Sequence, residues 1–184
     1  FMEDAMPLSH PLRPDKVEEF ENIYTGTIYE KGSHVLGMLY TMLGPQTWRA
    51  ATDEYFRRFD GQAVTCDDFV NVMEEVSGRD LEQFRRWYRQ SGTPEISYYG
   101  AYDAKNKTYS LTLSQRTKPT HDQPVKEALM IPVAVGLIGE SGKDVPLKLK
   151  NDNGAAETTK ILNLTENSQT FVFENVPGPV TPAI

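Results

Sequence analysis

The chain has 184 residues, of which 39% are hydrophobic and 24% are charged, a composition typical of a folded protein with one large or two small domains. Its formal net charge of −7 argues against a nucleic-acid partner, which would need a basic surface. Cys66 is the only cysteine, so an intrachain disulfide is excluded and a cytoplasmic location is predicted. No apolar run approaches the roughly 20 residues of a membrane-spanning helix, and no membrane partner is expected.

The first twenty residues contain Pro7, Pro11 and Pro14. Proline disfavours a helix at its own position and at the residue before it, so this segment is predicted to be an extended loop. His10 lies in the loop. Two interpretations are open, a metal ligand or a histidine that hydrogen-bonds the backbone, and the second is favoured.

A long apolar-periodic segment begins near Ile23 and predicts a helix from about Thr27 to Leu43. Gly44 is expected to end this helix, and Pro45 to start the next one. The residues that would line its buried face are Ile28, Val35, Leu36, Leu39, Met42 and Leu43. Tyr29 falls in the first turn, where a tyrosine is either a half-buried core residue or a residue whose hydroxyl points into a cleft.

Three further helices follow in the sequence. The second is predicted to end near Gly61 and to carry an aromatic stripe of Trp48, Tyr55, Phe56 and Phe59. Thr65 is a predicted N-cap of the third, with Asp68 completing a partial capping box and Gly78 as its C-cap. Asp80 and Gln83 repeat the start signal for a fourth helix, which ends before Gly92.

The buried faces of the third and fourth helices are predicted from helical spacing. Their members are Phe69, Val72, Met73 and Val76, followed by Leu81, Phe84, Trp87 and Tyr88. Arg85, Arg86 and Arg89 are interpreted as solvated charges near a helix C-terminus.

After Pro94 the pattern changes to short segments of period two, separated by glycine- and asparagine-rich turns. The predicted strands are 96–102, 109–114, 129–138, 145–149, 158–164 and 169–174. Such spacing predicts a β-sandwich, with the segment 176–184 as a tail or the start of a further strand. The fold class is therefore α+β with two segregated domains, a helical domain over residues 1–93 and a β-sandwich over 94–184.

Several motifs, running in one order from end to end, resemble the aminopeptidase N (alanyl aminopeptidase) family of zinc gluzincin metalloaminopeptidases, in its bacterial branch. The motifs are His10–Pro14, Tyr24–Gly32, Thr65–Phe69, Phe84–Pro94 and Thr112–Thr117. The resemblance implies an interior piece of a longer enzyme. It further implies that the helical part is the C-terminal end of a thermolysin-like catalytic domain, and that an immunoglobulin-like β-sandwich follows as a spacer to a further domain.

The metal site of that family is missing from the sequence. A gluzincin binds zinc through His-Glu-x-x-His on a helix, but the histidines here, His10, His34 and His121, are never four residues apart. We therefore expect zinc in the parent enzyme but no metal ligand in this chain, which alone is expected to hydrolyse nothing. Peptide substrates and the remaining domains of the same polypeptide are the implied partners.

By resemblance, Tyr29 is the catalytic tyrosine that stabilises the oxyanion, and Tyr24 is a substrate-binding residue in the pocket for the N-terminal side chain. Glu30 and Lys31 are interpreted as structural neighbours of Tyr29. A competing hypothesis from another class stays open at this point. In it, the helices and the sandwich form a non-catalytic protein-interaction module.

Overall fold

The computed structural model describes residues 3–5, 8–17, 19–150 and 152–184, without the side chain of Phe20. The chain divides into two compact units. A helical unit extends to Pro94 and also includes residues 117–129, and a β unit comprises 95–116 and 130–184. The α+β class with segregated helical and β parts is confirmed. The ranges 1–93 and 94–184 stay a prediction for the domain boundary.

The segment before the first long helix is mostly irregular, as predicted, but it contains short 3₁₀ turns at Glu3–Ala5 and Phe20–Ile23. Pro11 and Pro14 lie in the irregular part. Pro7 lies outside the described residues. The loop that precedes the first helix is therefore locally ordered around turns rather than fully extended.

The predicted first helix is confirmed over its whole extent, but its first turn is of an unexpected kind. Residues Thr27–Lys31 form a π-helix that continues directly into helix α1, Gly32–Leu43. Gly44, with φ 78°, ends α1, a backbone angle that glycine adopts without steric cost. The buried residues are Val35, Leu39, Met42 and Leu43. Leu36 is exposed, so its predicted place in the core was wrong.

Helix α2 spans Pro45–Phe59 and helix α3 spans Cys66–Ser77. The prediction that Phe56 belongs to the inward stripe of α2 was wrong, because this side chain is exposed. The start of α3 is as predicted: Thr65 accepts from the backbone of Asp68, and the Asp68 carboxylate accepts from the backbone of Thr65. Gly78 ends α3 in the left-handed conformation with φ 65°.

The fourth helical segment is shorter than its sequence pattern suggests, a 3₁₀ turn at Gln83–Arg85 followed by helix α4, Arg86–Arg89. Asp80 accepts from the backbone of Glu82 and caps a turn rather than a long helix. Leu81, Phe84 and Trp87 are buried as predicted.

The β unit consists of antiparallel pairs in two sheets. Its strands are β1 Pro94–Asp103, β2 Thr108–Thr117, β3 Ile131–Gly139, β4 Asp144–Val145, β5 Thr159–Leu164, β6 Ser168–Phe173 and β7 Val180–Ala183. One sheet has the order β1-β2-β6, and in the other β3 pairs with β4, β5 and β7. The C-terminal segment contains β7 and is therefore not a free tail. Both sheets bury leucines, as the inner faces of a β-sandwich do.

One glycine in β1 leaves room for a buried aromatic side chain of the same unit. A Cβ atom at Gly100 would lie 1.8 Å from the hydroxyl oxygen of Tyr109 and 2.6 Å from its Cζ. Tyr109 is buried, so its ring cannot withdraw without disturbing the core. Glycine is thus the only residue type that fits beside the Tyr109 ring at position 100.

We expect Gly100→Ala to lower the free energy of unfolding by about 1–3 kcal/mol, the usual cost of overpacking. Denaturant unfolding of the 184-residue chain measures it. The matched control is Gly178→Ala, because a Cβ atom there would meet nothing within 4 Å. Equal stability of the two variants would contradict the prediction.

Candidate functional site

The two tyrosines predicted to act on substrate both lie on the surface of the helical unit. Tyr29 is in the π-helix, where its backbone N–H donates to the Thr25 carbonyl at 3.1 Å. The exposed fractions are 59% for Tyr29 and 58% for Tyr24, so neither ring is a core residue. Short π-helical turns are rare in proteins, but those that occur often lie at functional sites.

The rings of Tyr24 and Tyr29 stack on each other, with centroids 6.3 Å apart and planes inclined by 21°. This is a favourable offset arrangement for aromatic pairs. The two side chains line one wall of a groove of about 450 Å³, whose other lining residues are Leu12, Arg13, Pro14, Val17, Ile23 and Ile28. A volume of this order accommodates a small ligand or a peptide terminus.

The Tyr29 hydroxyl forms no hydrogen bond with any residue that the structure describes. A phenol is a neutral donor and acceptor. A hydroxyl on an exposed residue beside a groove, with no hydrogen-bond partner among the described residues, can donate to a bound molecule without first breaking a bond to one of them. The catalytic role of Tyr29 and the substrate-binding role of Tyr24 remain predictions at this point.

His10 contacts the chain between the two tyrosines. Its Nδ1 donates to the carbonyl of Pro11 at 2.8 Å, which leaves Nε2 to accept from the Thr25 hydroxyl at 3.0 Å. The same Thr25 oxygen accepts from the backbone N–H of Ile28 at 3.2 Å. The interpretation of His10 as a histidine that bonds the backbone is confirmed, and its second nitrogen supports the start of the π-helix.

A buried carboxylate lies at the other end of the π-helix. Asp4 is 5% exposed and accepts from Lys31 Nζ at 3.0 Å, Thr93 Oγ1 at 2.6 Å, Gly92 N at 2.9 Å and Ser9 Oγ at 2.9 Å. Burial by itself would raise the pKa of Asp4, but the Thr93 hydrogen bond and the Lys31 charge outweigh it and hold the pKa below its ordinary value. Asp4 is therefore ionised and paired with Lys31 at neutral pH.

A larger cavity of about 550 Å³ lies in the same unit and includes neither tyrosine. Its lining contains the acidic side chains of Glu3 and Glu30 together with apolar ones such as Val35, Met38 and Trp87. We assign the candidate site to the smaller groove, because Tyr29, the hydrogen-bond donor predicted to stabilise the oxyanion, lines that groove.

The described residues do not form a zinc site. No group of three or more His, Cys, Asp or Glu side chains within the described ranges could hold a metal ion. His10 is engaged by Pro11 and Thr25, so it is not available as a ligand. Among the helices of the described residues, none has the length and apolar character that a membrane-spanning segment requires.

The sequence did not reveal the role of Asp4 or of Thr25 in this site. Asp4 contacts Lys31 and Thr93, which lie 27 and 89 positions further along the chain. No local pattern encodes such a contact. The sequence identifies Lys31 only as a neighbour of Tyr29 within the Tyr24–Gly32 motif. Its ion-pair partner, Asp4, is seen only in the tertiary structure.

Two family models match the chain, one after the other. Residues 1–88 match the peptidase family M1 domain, and residues 92–184 match a domain of unknown function (DUF3458) described as having an Ig-like fold. The second match confirms the immunoglobulin-like class predicted for the β-sandwich.

Relatives with curated names cover the whole chain. It is 47% identical over 184 residues to aminopeptidase N of Escherichia coli (strain K12) and 48% identical over 184 residues to aminopeptidase N of Haemophilus influenzae. It covers 21% of each of these two relatives and therefore spans about a fifth of their length.

A solved structure agrees with these matches. The crystal structure of Legionella pneumophila aminopeptidase A in complex with aspartic acid superimposes with a TM-score of 0.77 at 26% identity. It covers 94% of this chain, which in turn corresponds to 18% of that protein. Since the two family models and the relatives agree along the entire sequence, the chain belongs to peptidase family M1, as a segment similar to bacterial aminopeptidase N.

Proposed function

We propose that this chain forms part of a zinc-dependent aminopeptidase that removes N-terminal amino acids from peptides, and that Tyr29 stabilises the oxyanion formed in that reaction. The observation that carries the proposal is the position of Tyr29. This residue is 59% exposed and lines a groove, and its hydroxyl forms no hydrogen bond with any described residue. The parent protein is the full-length protein that contains this chain.

Hydrolysis of a peptide bond places negative charge on the oxygen of the scissile carbonyl when the tetrahedral intermediate forms. A hydrogen-bond donor directed at that oxygen binds the transition state more strongly than the substrate and so accelerates the reaction. The Tyr29 phenol supplies this donor and keeps its proton, because it acts by hydrogen bonding and not by proton transfer.

Tyr24 has a different part in the proposal. Its ring stacks on Tyr29 and forms a wall of the same groove. An exposed aromatic face offers apolar contact to a side chain without demanding one particular shape. We assign it to the side chain of the substrate's N-terminal residue.

We assign the zinc ligands to parts of the parent protein outside this chain, because the sequence lacks the His-Glu-x-x-His motif of a gluzincin. No catalytic step is assigned to metal chemistry within the chain. The β unit serves as a spacer toward the rest of the parent, and we propose a cytoplasmic location because Cys66 has no cysteine partner in the chain.

The test compares the parent protein with the 184-residue chain on an aminoacyl anilide substrate. We expect the parent to release the anilide, to lose this activity in a chelator and to regain it with zinc. The chain alone should release none under any of these conditions. An inactive parent would contradict the proposal and favour a non-catalytic interaction module, and activity in the isolated chain would contradict the assignment of the metal ligands.

A further inference from the structure

We infer that Lys31 and His10 are positioning residues, which fix the π-helix at both ends so that the Tyr29 hydroxyl is directed into the groove. This inference rests on the proposed function of Tyr29, since its purpose is to place that hydroxyl. It concerns contacts of the helical unit alone. Neither side chain lines the groove, so both act through Tyr29.

The first anchor is the ion pair between Lys31 and Asp4. Lys31 is the last residue of the π-helix and lies two positions after Tyr29. The side chains of Lys31 and Asp4 are only 13% and 4% exposed, and Lys31 Nζ also donates to the Gly92 carbonyl at 2.9 Å. Separating a buried pair leaves an unpaired charge out of water, which is strongly unfavourable. The end of the π-helix is therefore held firmly against the segment at Gly92.

The second anchor is the Thr25 hydroxyl, which lies between Tyr24 and the π-helix. It donates to His10 Nε2 and accepts from the backbone N–H of Ile28. His10 is itself fixed by the hydrogen bond from its Nδ1 to the Pro11 carbonyl at 2.8 Å. The first backbone N–H groups of a helix lack internal partners. The Thr25 hydroxyl, held by His10, satisfies the N–H of Ile28 and so fixes where the π-helix begins.

Tyr29 depends on such anchors because little else restrains it. Its ring is more than half exposed and stacks on Tyr24, which lies just before the π-helix. The position of the hydroxyl is therefore set by the backbone of the turn. Catalytic groups need to be held within about 0.5 Å of the productive geometry, and a π-turn is a rare helical conformation.

The test is a double-mutant cycle in the parent protein. Lys31→Met and His10→Phe are made singly and again in a Tyr29→Phe background. We expect each single change to lower kcat by about tenfold or more, which corresponds to about 1.4 kcal/mol, with KM nearly unchanged. In the Tyr29→Phe background the same changes should lower kcat little further, because the hydroxyl they position is already gone.

Lys31→Arg retains the positive charge opposite Asp4 and should keep most of the activity. Lys143→Met, the same kind of change at an exposed position of the β unit, should leave kcat unaltered. Thermal melting of every variant identifies any that fails to fold, and if Lys31→Met is among them, Lys31→Arg and His10→Phe carry the test.

The inference is overturned if Lys31→Met and His10→Phe lower kcat by the same factor with and without the Tyr29 hydroxyl, or if they do not lower it at all. These results differ from a failure of the proposed function itself. That failure would appear as full activity in the Tyr29→Phe single variant.

Discussion

Replacing Tyr29 with phenylalanine in the parent protein is expected to lower kcat by about 10²–10³-fold, the loss typical of one oxyanion donor. The substitution keeps the ring and its stack on Tyr24 and removes only the oxygen. Because the hydroxyl has no partner among the described residues, its loss leaves no internal donor or acceptor unsatisfied. Stability should therefore stay the same while catalysis falls.

Steady-state kinetics on an aminoacyl anilide measures this effect, and KM should change much less than kcat because the donor acts mainly in the transition state. Tyr99→Phe is the matched control, since Tyr99 is a strongly exposed tyrosine in β1. We expect it to be as active as the wild type. A Tyr29→Phe enzyme with full kcat would remove Tyr29 from the catalytic residues.

The second large effect is expected at Arg85, where methionine should lower the free energy of unfolding of the helical unit by about 1.5–3 kcal/mol, the usual contribution of hydrogen bonds to a charged group. Arg85 is only 6% exposed. Its guanidinium donates at 2.8 Å to both Glu74 and Asn71, and carboxylates of Glu82 and Asp67 lie 3.2 and 3.6 Å away. Methionine fills a similar volume but leaves this acidic cluster without its cation.

Denaturant unfolding followed by helical circular dichroism measures the change in the 184-residue chain. Arg57→Met is the control, because Arg57 forms a double hydrogen bond with Glu54 but its side chain is 69% exposed. Water and salt screen such a pair, so this variant should unfold almost as the wild type does. Equal losses at the two positions would contradict the burial argument.

The local signals in the sequence were sufficient for much of the helical unit. Thr65 and Asp68 form the predicted capping box and Gly78 the predicted C-cap, because these contacts join residues only a few positions apart. The same holds for the first helix, which ends at Gly44 as expected. Spacing alone failed for Leu36 and Phe56, which are exposed, since a helical period does not state how wide the covered face is.

The arginines also show that local sequence does not determine which side chains are buried. Arg85 was interpreted as a solvated charge together with Arg86 and Arg89, but it is buried within an acidic cluster. Two of its partners, Asp67 and Glu74, come from α3. The sequence around Arg85 does not determine how α3 packs against it.

The sequence by itself determined the α+β class and the family, because these follow from local periodicity and from motifs of adjacent residues, and the same motifs predicted Tyr24 and Tyr29 as site residues. Only the tertiary structure decided that Tyr29 lies in a π-turn beside a groove, and that Asp4, His10 and Lys31 support that turn. The physical reason is distance along the chain. Asp4 and Thr93 meet across 89 positions, and hydrogen bonds of this kind depend on how the segments fold together rather than on any pattern within one of them.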